Sequence, residues 1–114
     1  MGATTSSKVR QHSGNFVTLF RRNKSAHAIE CILREEDVEG LIAIGAPPDE
    51  YADEARQIAE ALEQLDSSNV GADRVLAIVA EVCSRMFGPF DSEEFQKRYP
   101  VYQRVARRVF GELQ

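Results

Sequence analysis

The sequence contains only two cysteines, Cys31 and Cys83, and no apolar run long enough to cross a bilayer. Both cysteines fall in helical apolar patterns, so we expect reduced thiols in a cytosolic protein rather than disulfides. A transmembrane helix needs about 20 consecutive apolar residues, so we expect no membrane span. A chain of 114 residues can form a core without disulfides and is expected to contain one domain.

The sequence also lacks the short motifs that accompany common enzyme chemistries. It has no Gly-x-Ser-x-Gly turn, no Cys-x-x-Cys pair, no His-Glu-x-x-His sequence and no glycine-rich phosphate loop. A non-catalytic protein is therefore the favoured interpretation, and we expect no catalytic residue, no metal and no cofactor.

Acidic residues are concentrated in one stretch of the chain, although the whole chain has a net charge of only −4. Residues 30 to 66 carry twelve carboxylates against two arginines, a net charge of −10. Residues 1 to 29 have a net charge of +5 with no acid, and residues 67 to 114 have +1. A surface this negative must face water, a cation or a basic partner.

The apolar pattern predicts an all-α fold, a small bundle of about four helices. Residues 1 to 24 predict a flexible basic tail with a short apolar docking segment, and residues 25 to 114 a single helical domain. Ser25 suits the N-cap of the first helix, and Gly40 is a natural stop. Further helices are predicted at residues 49 to 65 and 73 to 87, followed by a short turn at 93 to 97 and a last helix opened by Pro100.

The second and third predicted helices differ in how their apolar residues are distributed. The second has a single stripe with spacings of four and three, which indicates one face against a core. The third is apolar nearly all round, which predicts the central helix of the bundle. The stripe of the second helix consists of Tyr51, Ala55, Ile58, Leu62 and Leu65.

The segment that joins the first two helices combines acids, glycines, a proline and a tyrosine in a fixed order. In this sequence they are Asp37, Gly40, Gly45, Pro47, Asp49, Glu50, Tyr51 and Glu54. This order resembles a bacterial family of small all-helical proteins of unknown function, whose members have an Asp-Pro-x-Gly turn followed by an Asp-Glu-Tyr helix start. Val38 stands in place of that proline, so we expect a less rigid turn here. The resemblance implies the fold but no reaction and no ligand.

Four carboxylates at the start of the second helix allow two interpretations. Carboxylates four residues apart share a helix face and could bind a hard cation. Acids in the first helical turn also stabilise its positive end, and this interpretation is favoured because a hard cation normally takes six or more oxygens. The four are Asp49, Glu50, Asp53 and Glu54. We expect the ring of Tyr51 to be buried, with its hydroxyl reaching a polar partner such as Asp37.

Two further groups of residues have a spacing that could form a site. His27 and Cys31 lie four apart on one helix face and could form a zinc site with Cys83, but a packed thiol beside an imidazole is favoured. Basic residues of the last helix interleave with Tyr99 and Tyr102, a pattern that could contact nucleic acid. The acidic chain opposes phosphate binding, so pairing with the acidic second helix is favoured. The basic residues are Lys97, Arg98, Arg104, Arg107 and Arg108.

The function that these patterns favour is a non-catalytic module that binds a basic protein partner through an acidic helix surface. The predicted contact residues, expected on or near the exposed side of the second helix, are Glu50, Asp53, Glu54 and Glu60. One alternative is a metal-binding or hydrolytic enzyme that uses the carboxylates around residues 37 to 54. Self-association between the acidic and basic helices is the other alternative.

Overall fold

The computed structural model describes residues 25–65 and 70–113, which form four α-helices and contain no β-strand. Helix α1 covers residues 25–36, α2 Ala52–Glu63, α3 Ala72–Phe87 and α4 Ser92–Glu112. The predicted all-α bundle of about four helices is therefore confirmed. The predicted tail and docking segment at residues 1–24 lie outside the described residues. None of the described helices is long and apolar enough to cross a membrane.

The core is built from the apolar stripes of all four helices, and α3 packs against both α2 and α4, as expected of a central helix. Burying these side chains removes apolar surface from water, which is the main force holding such a bundle together. The largest fully buried side chains are Tyr51, Tyr102, Ile29, Leu33, Ile58, Val75, Val79, Val82, Val105, Val109 and Cys83.

The first helix ends earlier than predicted, and the second begins later. Helix α1 stops at residue 36, because Asp37 takes a left-handed backbone with a φ of 51° and ends the helical hydrogen bonding. Gly40 and Gly45 also have positive φ, at 72° and 104°, within the connector. Ser25 is already helical and is not the cap that was predicted.

Helix α4 runs without interruption through Pro100, so the predicted short turn and separate last helix were wrong. Asp91 caps the helix by accepting a 2.8 Å hydrogen bond from the amide of Glu94. A proline inside a helix removes one backbone hydrogen bond. The helix packs into the core on both sides of the proline, since the ring of Phe95 lies 5.9 Å from that of Tyr102, which is fully buried.

Candidate functional site

A hydrogen-bond network between Asp37 and Tyr51 organises the connector from α1 to α2, as the sequence predicted for this pair. The Tyr51 hydroxyl donates to Oδ1 of Asp37 at 2.7 Å and accepts from the backbone amides of Glu39 and Leu41 at 3.1 and 3.3 Å. The Asp37 carboxylate also accepts from the amides of Ile42 and Ala43, both at 2.9 Å. Both side chains are therefore occupied in holding the loop.

The electrostatics of this network keep the tyrosine protonated and the aspartate charged. Burial, assisted by the neighbouring Asp37, raises the pKa of Tyr51 to about 12. Burial also raises the pKa of Asp37, but hydrogen bonds from Tyr51 and the amides of Ile42 and Ala43 outweigh it and hold this pKa below its usual value. A neutral phenol and a carboxylate that accepts three hydrogen bonds from its own chain form a structural pair.

The connector is apolar at its tip, and its tip is exposed. Ile44 is 81% exposed, and Ala43, Pro47 and Pro48 are exposed as well. The backbone is nevertheless ordered by internal hydrogen bonds, such as the 2.9 Å bond from the amide of Ala46 to the carbonyl of Leu41. We refer to residues 41–48 as the apolar loop.

Three arginines of α4 pair with acids at the end of α1 and in the turn after it, namely Arg98, Arg104 and Arg108. Arg104 contacts Glu36 at 3.0 Å, and Arg108 contacts Glu35 at 2.5 Å and Glu36 at 3.3 Å. The hydrogen bond from Arg104 is the main reason that the pKa of Glu36 is lowered. The predicted pairing of the basic helix with the second helix was therefore wrong: α4 lies against the end of α1, so its cations meet the acids there.

Arg98 makes the most enclosed of these ion pairs. Its Nε and Nη2 atoms donate to the two carboxylate oxygens of Glu39 at 2.8 and 3.1 Å, in a bidentate arrangement. The side chains are only 22% and 11% exposed. The guanidinium also lies 3.8 Å from the centre of the Phe90 ring and donates to the carboxylate of Glu94 at 2.9 Å. These contacts raise the pKa of Arg98 and fix the turn after α1 to α4.

Three of the four predicted contact residues are exposed, and the fourth is not. Glu50, Asp53 and Glu60 are exposed, whereas Glu54 is only 6% exposed. Glu54 is buried because it lies three residues after Tyr51 and four before Ile58, on the same helix face as the core stripe. Its Oε1 has no hydrogen-bond partner within the described part of the chain, and burial raises its pKa.

The exposed face of α2 is less uniformly acidic than predicted. Asp53 pairs with Arg56 at 2.7 Å, and Glu60 lines an open groove between α2 and α3. By contrast, Asp49 and Glu50, in the turn before α2, are exposed and have no ion pair in the part of the chain that the structure describes. The groove is lined by Arg56, Gln57, Glu60, Ala61, Gln64 and Arg85.

The residues considered for a metal or catalytic site are not assembled into one. The Sγ atom of Cys31 lies 3.9 Å from Nε2 of His27. Cys83, the third residue considered, is fully buried, and burial raises the pKa of its thiol to about 12. Across residues 25–65 and 70–113, no group of three or more histidine, cysteine or acidic side chains is positioned to hold a metal ion.

No protein-family model, no curated protein and no solved structure matches this chain.

Proposed function

We propose that this chain is a non-catalytic protein-binding module that recognises a basic protein partner. The acids at the start of α2 support the proposal, since Asp49 and Glu50 are exposed without an ion pair in the described structure. Glu35, Glu36 and Glu39 are instead neutralised by arginines of α4.

Within this proposal, the contact surface consists of Asp49, Glu50, Asp53 and Glu60. Glu54 is excluded from the surface because it is buried. Exposed carboxylates steer a cationic partner and increase its association rate, an effect that salt weakens. The same charges repel nucleic acid, which argues for a protein partner.

The cellular setting is also a proposal. The resemblance to a bacterial family implies a bacterial protein, and free thiols at Cys31 and Cys83 suit the reducing cytoplasm. An enzyme that uses the carboxylates around residues 37 to 54 is not proposed further, because Asp37 and Tyr51 are engaged in hydrogen bonds that hold the loop.

The test is salt-dependent capture from a native lysate with the full chain as bait. We expect one or more basic proteins to bind at low salt and to be lost at high salt. Glu50→Lys should reduce capture several-fold at low salt. Glu112→Lys is the matched control, because it makes the same change in charge at an exposed position near the end of α4. If both variants capture as much as the unmodified chain, the proposed surface is wrong.

A further inference from the structure

The apolar loop presents a large hydrophobic side chain to solvent. Ile44 is 81% exposed, and in the described part of the chain the other exposed large hydrophobic residue is Leu113, at 40%, close to the end of α4. Ala43, Pro47 and Pro48, in the same loop, are exposed as well. The side chain of Ile44 is therefore accessible to a partner, together with exposed apolar neighbours in the sequence.

This loop is held in shape before any partner arrives. The amides of Ile44 and Gly45 donate to the carbonyls of Leu41 and Ile42 at 3.2 and 3.1 Å. At its end, Arg34 donates to the carbonyl of Pro48 at 3.4 Å. The Asp37 carboxylate holds the amides of Ile42 and Ala43, as described above. A loop that is already ordered loses little conformational entropy on binding, so the apolar contact of Ile44 would contribute nearly in full.

The charges beside the loop specify what kind of partner fits. Asp49 and Glu50 follow directly after Pro48, and both are exposed without an ion pair among the described residues. A surface that receives the loop therefore meets an apolar side chain and, directly after the loop in the sequence, two exposed negative charges. Anionic lipid headgroups and nucleic-acid phosphates are repelled by such a border, whereas lysine and arginine side chains are attracted.

We propose that Ile44 inserts into an apolar pocket of a protein partner whose rim carries lysine or arginine side chains opposite Asp49 and Glu50. This inference rests on the proposed function and specifies how the basic partner is recognised. A second copy of the chain fits this description less well, because three of the four arginines of α4, Arg98, Arg104 and Arg108, already pair with acids of their own chain.

The experiment uses a photo-crosslinking amino acid with a benzophenone side chain, introduced in place of Ala43 in the full chain. After irradiation in native lysate, we expect a crosslink to one protein, at a peptide with apolar residues and a neighbouring lysine or arginine. Adding Ile44→Ser should lower the crosslink yield at least about tenfold, because burying an isoleucine side chain contributes enough free energy for that factor. Leu113→Ser, which changes an exposed hydrophobic residue elsewhere, should leave the yield unchanged.

Several outcomes would overturn the inference. These are a crosslink to a second copy of the chain, a crosslink to lipid, no crosslink at all, or a yield that Ile44→Ser does not lower. A melting curve of the Ile44→Ser variant should match that of the unmodified chain, since an exposed side chain contributes little to stability. This measurement shows that a lost crosslink reflects lost contact and not unfolding.

The variants also separate this inference from the proposed function. If Glu50→Lys abolishes capture and Ile44→Ser does not, the acidic surface stands and the inserted isoleucine is wrong. If Ile44→Ser abolishes capture and Glu50→Lys does not, the cationic rim and the proposed acidic surface are both wrong. Loss of capture in both variants, with Leu113→Ser and Glu112→Lys unaffected, supports both proposals.

Discussion

The hydroxyl of Tyr51 donates a 2.7 Å hydrogen bond to Oδ1 of Asp37, a residue fourteen positions earlier in the chain. The Tyr51 ring is fully buried and packs edge-on against Phe87 at 6.0 Å, so its position is set by the core. Asp37 in turn ends α1 with its left-handed backbone. The hydrogen bond between the two residues therefore anchors a surface loop to the packed core. It holds Ile44 and Glu50 in fixed positions.

Tyr51→Phe should destabilise the fold while leaving the core packing intact. The substitution keeps the ring but removes an oxygen that donates to Asp37 and accepts from the amides of Glu39 and Leu41. Leaving such groups without partners costs about 1 to 3 kcal/mol. Urea unfolding would measure the loss of unfolding free energy.

Tyr99→Phe is the control for that substitution. Tyr99 is half-buried, its ring packs against Phe95 at 5.8 Å, and its hydroxyl has no hydrogen bond within the described structure. We expect its unfolding free energy to be unchanged. An equal loss in the two variants would show that the Tyr51 hydroxyl has no special role.

The helices and the contact between Asp37 and Tyr51 were predictable because both depend on local spacing. A stripe at intervals of three and four identifies the buried face of α2, and a glycine-rich, proline-rich connector brings Asp37 and Tyr51 close together. The burial of Glu54 was also detectable, since it lies three residues after Tyr51 and four before Ile58. The prediction that Glu54 lies on or near the exposed side of α2 did not take this spacing into account.

Other features depend on tertiary contacts that a single sequence does not specify. Arg98 and Glu39 are 59 residues apart, and their pairing is set by the position of α4 against the end of α1. Helix α4 passes through Pro100, and the core burial of Tyr102, Val105 and Val109 beyond the proline stabilises the helix there. The exposure of Ile44 likewise depends on the fold of the connector, which has no periodic pattern.

Arg98→Met should lower stability because it leaves Glu39 nearly enclosed without its cation. The Glu39 side chain is 11% exposed, and the two charge-assisted hydrogen bonds from Arg98 would be lost. We expect a loss of about 1 to 3 kcal/mol in the free energy of unfolding. Thermal and urea unfolding would measure it.

A double-mutant cycle with Glu39→Gln isolates the pair from other effects of the substitution. The two substitutions should be less costly together than the sum of each alone, because removing both partners leaves no unpaired charge. Lys97→Met is the matched control, since its ion pair with Glu94 joins side chains that are 63% and 44% exposed, and solvent weakens such pairs. Additive effects at Arg98 and Glu39 would contradict the predicted coupling.

Glu54→Gln should change the free energy of unfolding more favourably at neutral pH than at acidic pH. Burial raises the folded-state pKa of Glu54, so the folded protein retains a proton that the unfolded chain has already released. Stability from this group therefore falls as pH rises through the window between the unfolded pKa, about 4.3, and the higher folded pKa. A neutral glutamine removes this loss.

The measurement is the unfolding free energy of both proteins between pH 4 and pH 8. The variant should gain on the unmodified chain as pH rises and then keep a constant advantage relative to acidic pH. Glu60→Gln, at an exposed position of the same helix, is the control for replacing a carboxylate with an amide. Parallel curves for Glu54→Gln and the unmodified chain would mean that Glu54 titrates alike in the folded and unfolded states.

Gly88→Ala should destabilise the junction between α3 and α4, where no side chain fits. A Cβ atom at Gly88 would collide with the carbonyl oxygen of Ser84 and lie 2.9 Å from the amide nitrogen of Phe90. Both are backbone atoms that cannot move without disturbing the end of α3, so we expect a loss of about 1 to 3 kcal/mol in the free energy of unfolding.

Gly111→Ala is the matched substitution, because a Cβ there meets nothing within 4 Å and the residue is helical. The Gly111→Ala variant should instead gain roughly 0.5 kcal/mol in the free energy of unfolding, since alanine is more stable than glycine within a helix. Opposite shifts of the urea midpoint in the two variants are expected, and a stable Gly88→Ala protein would show that the chain can open this junction freely.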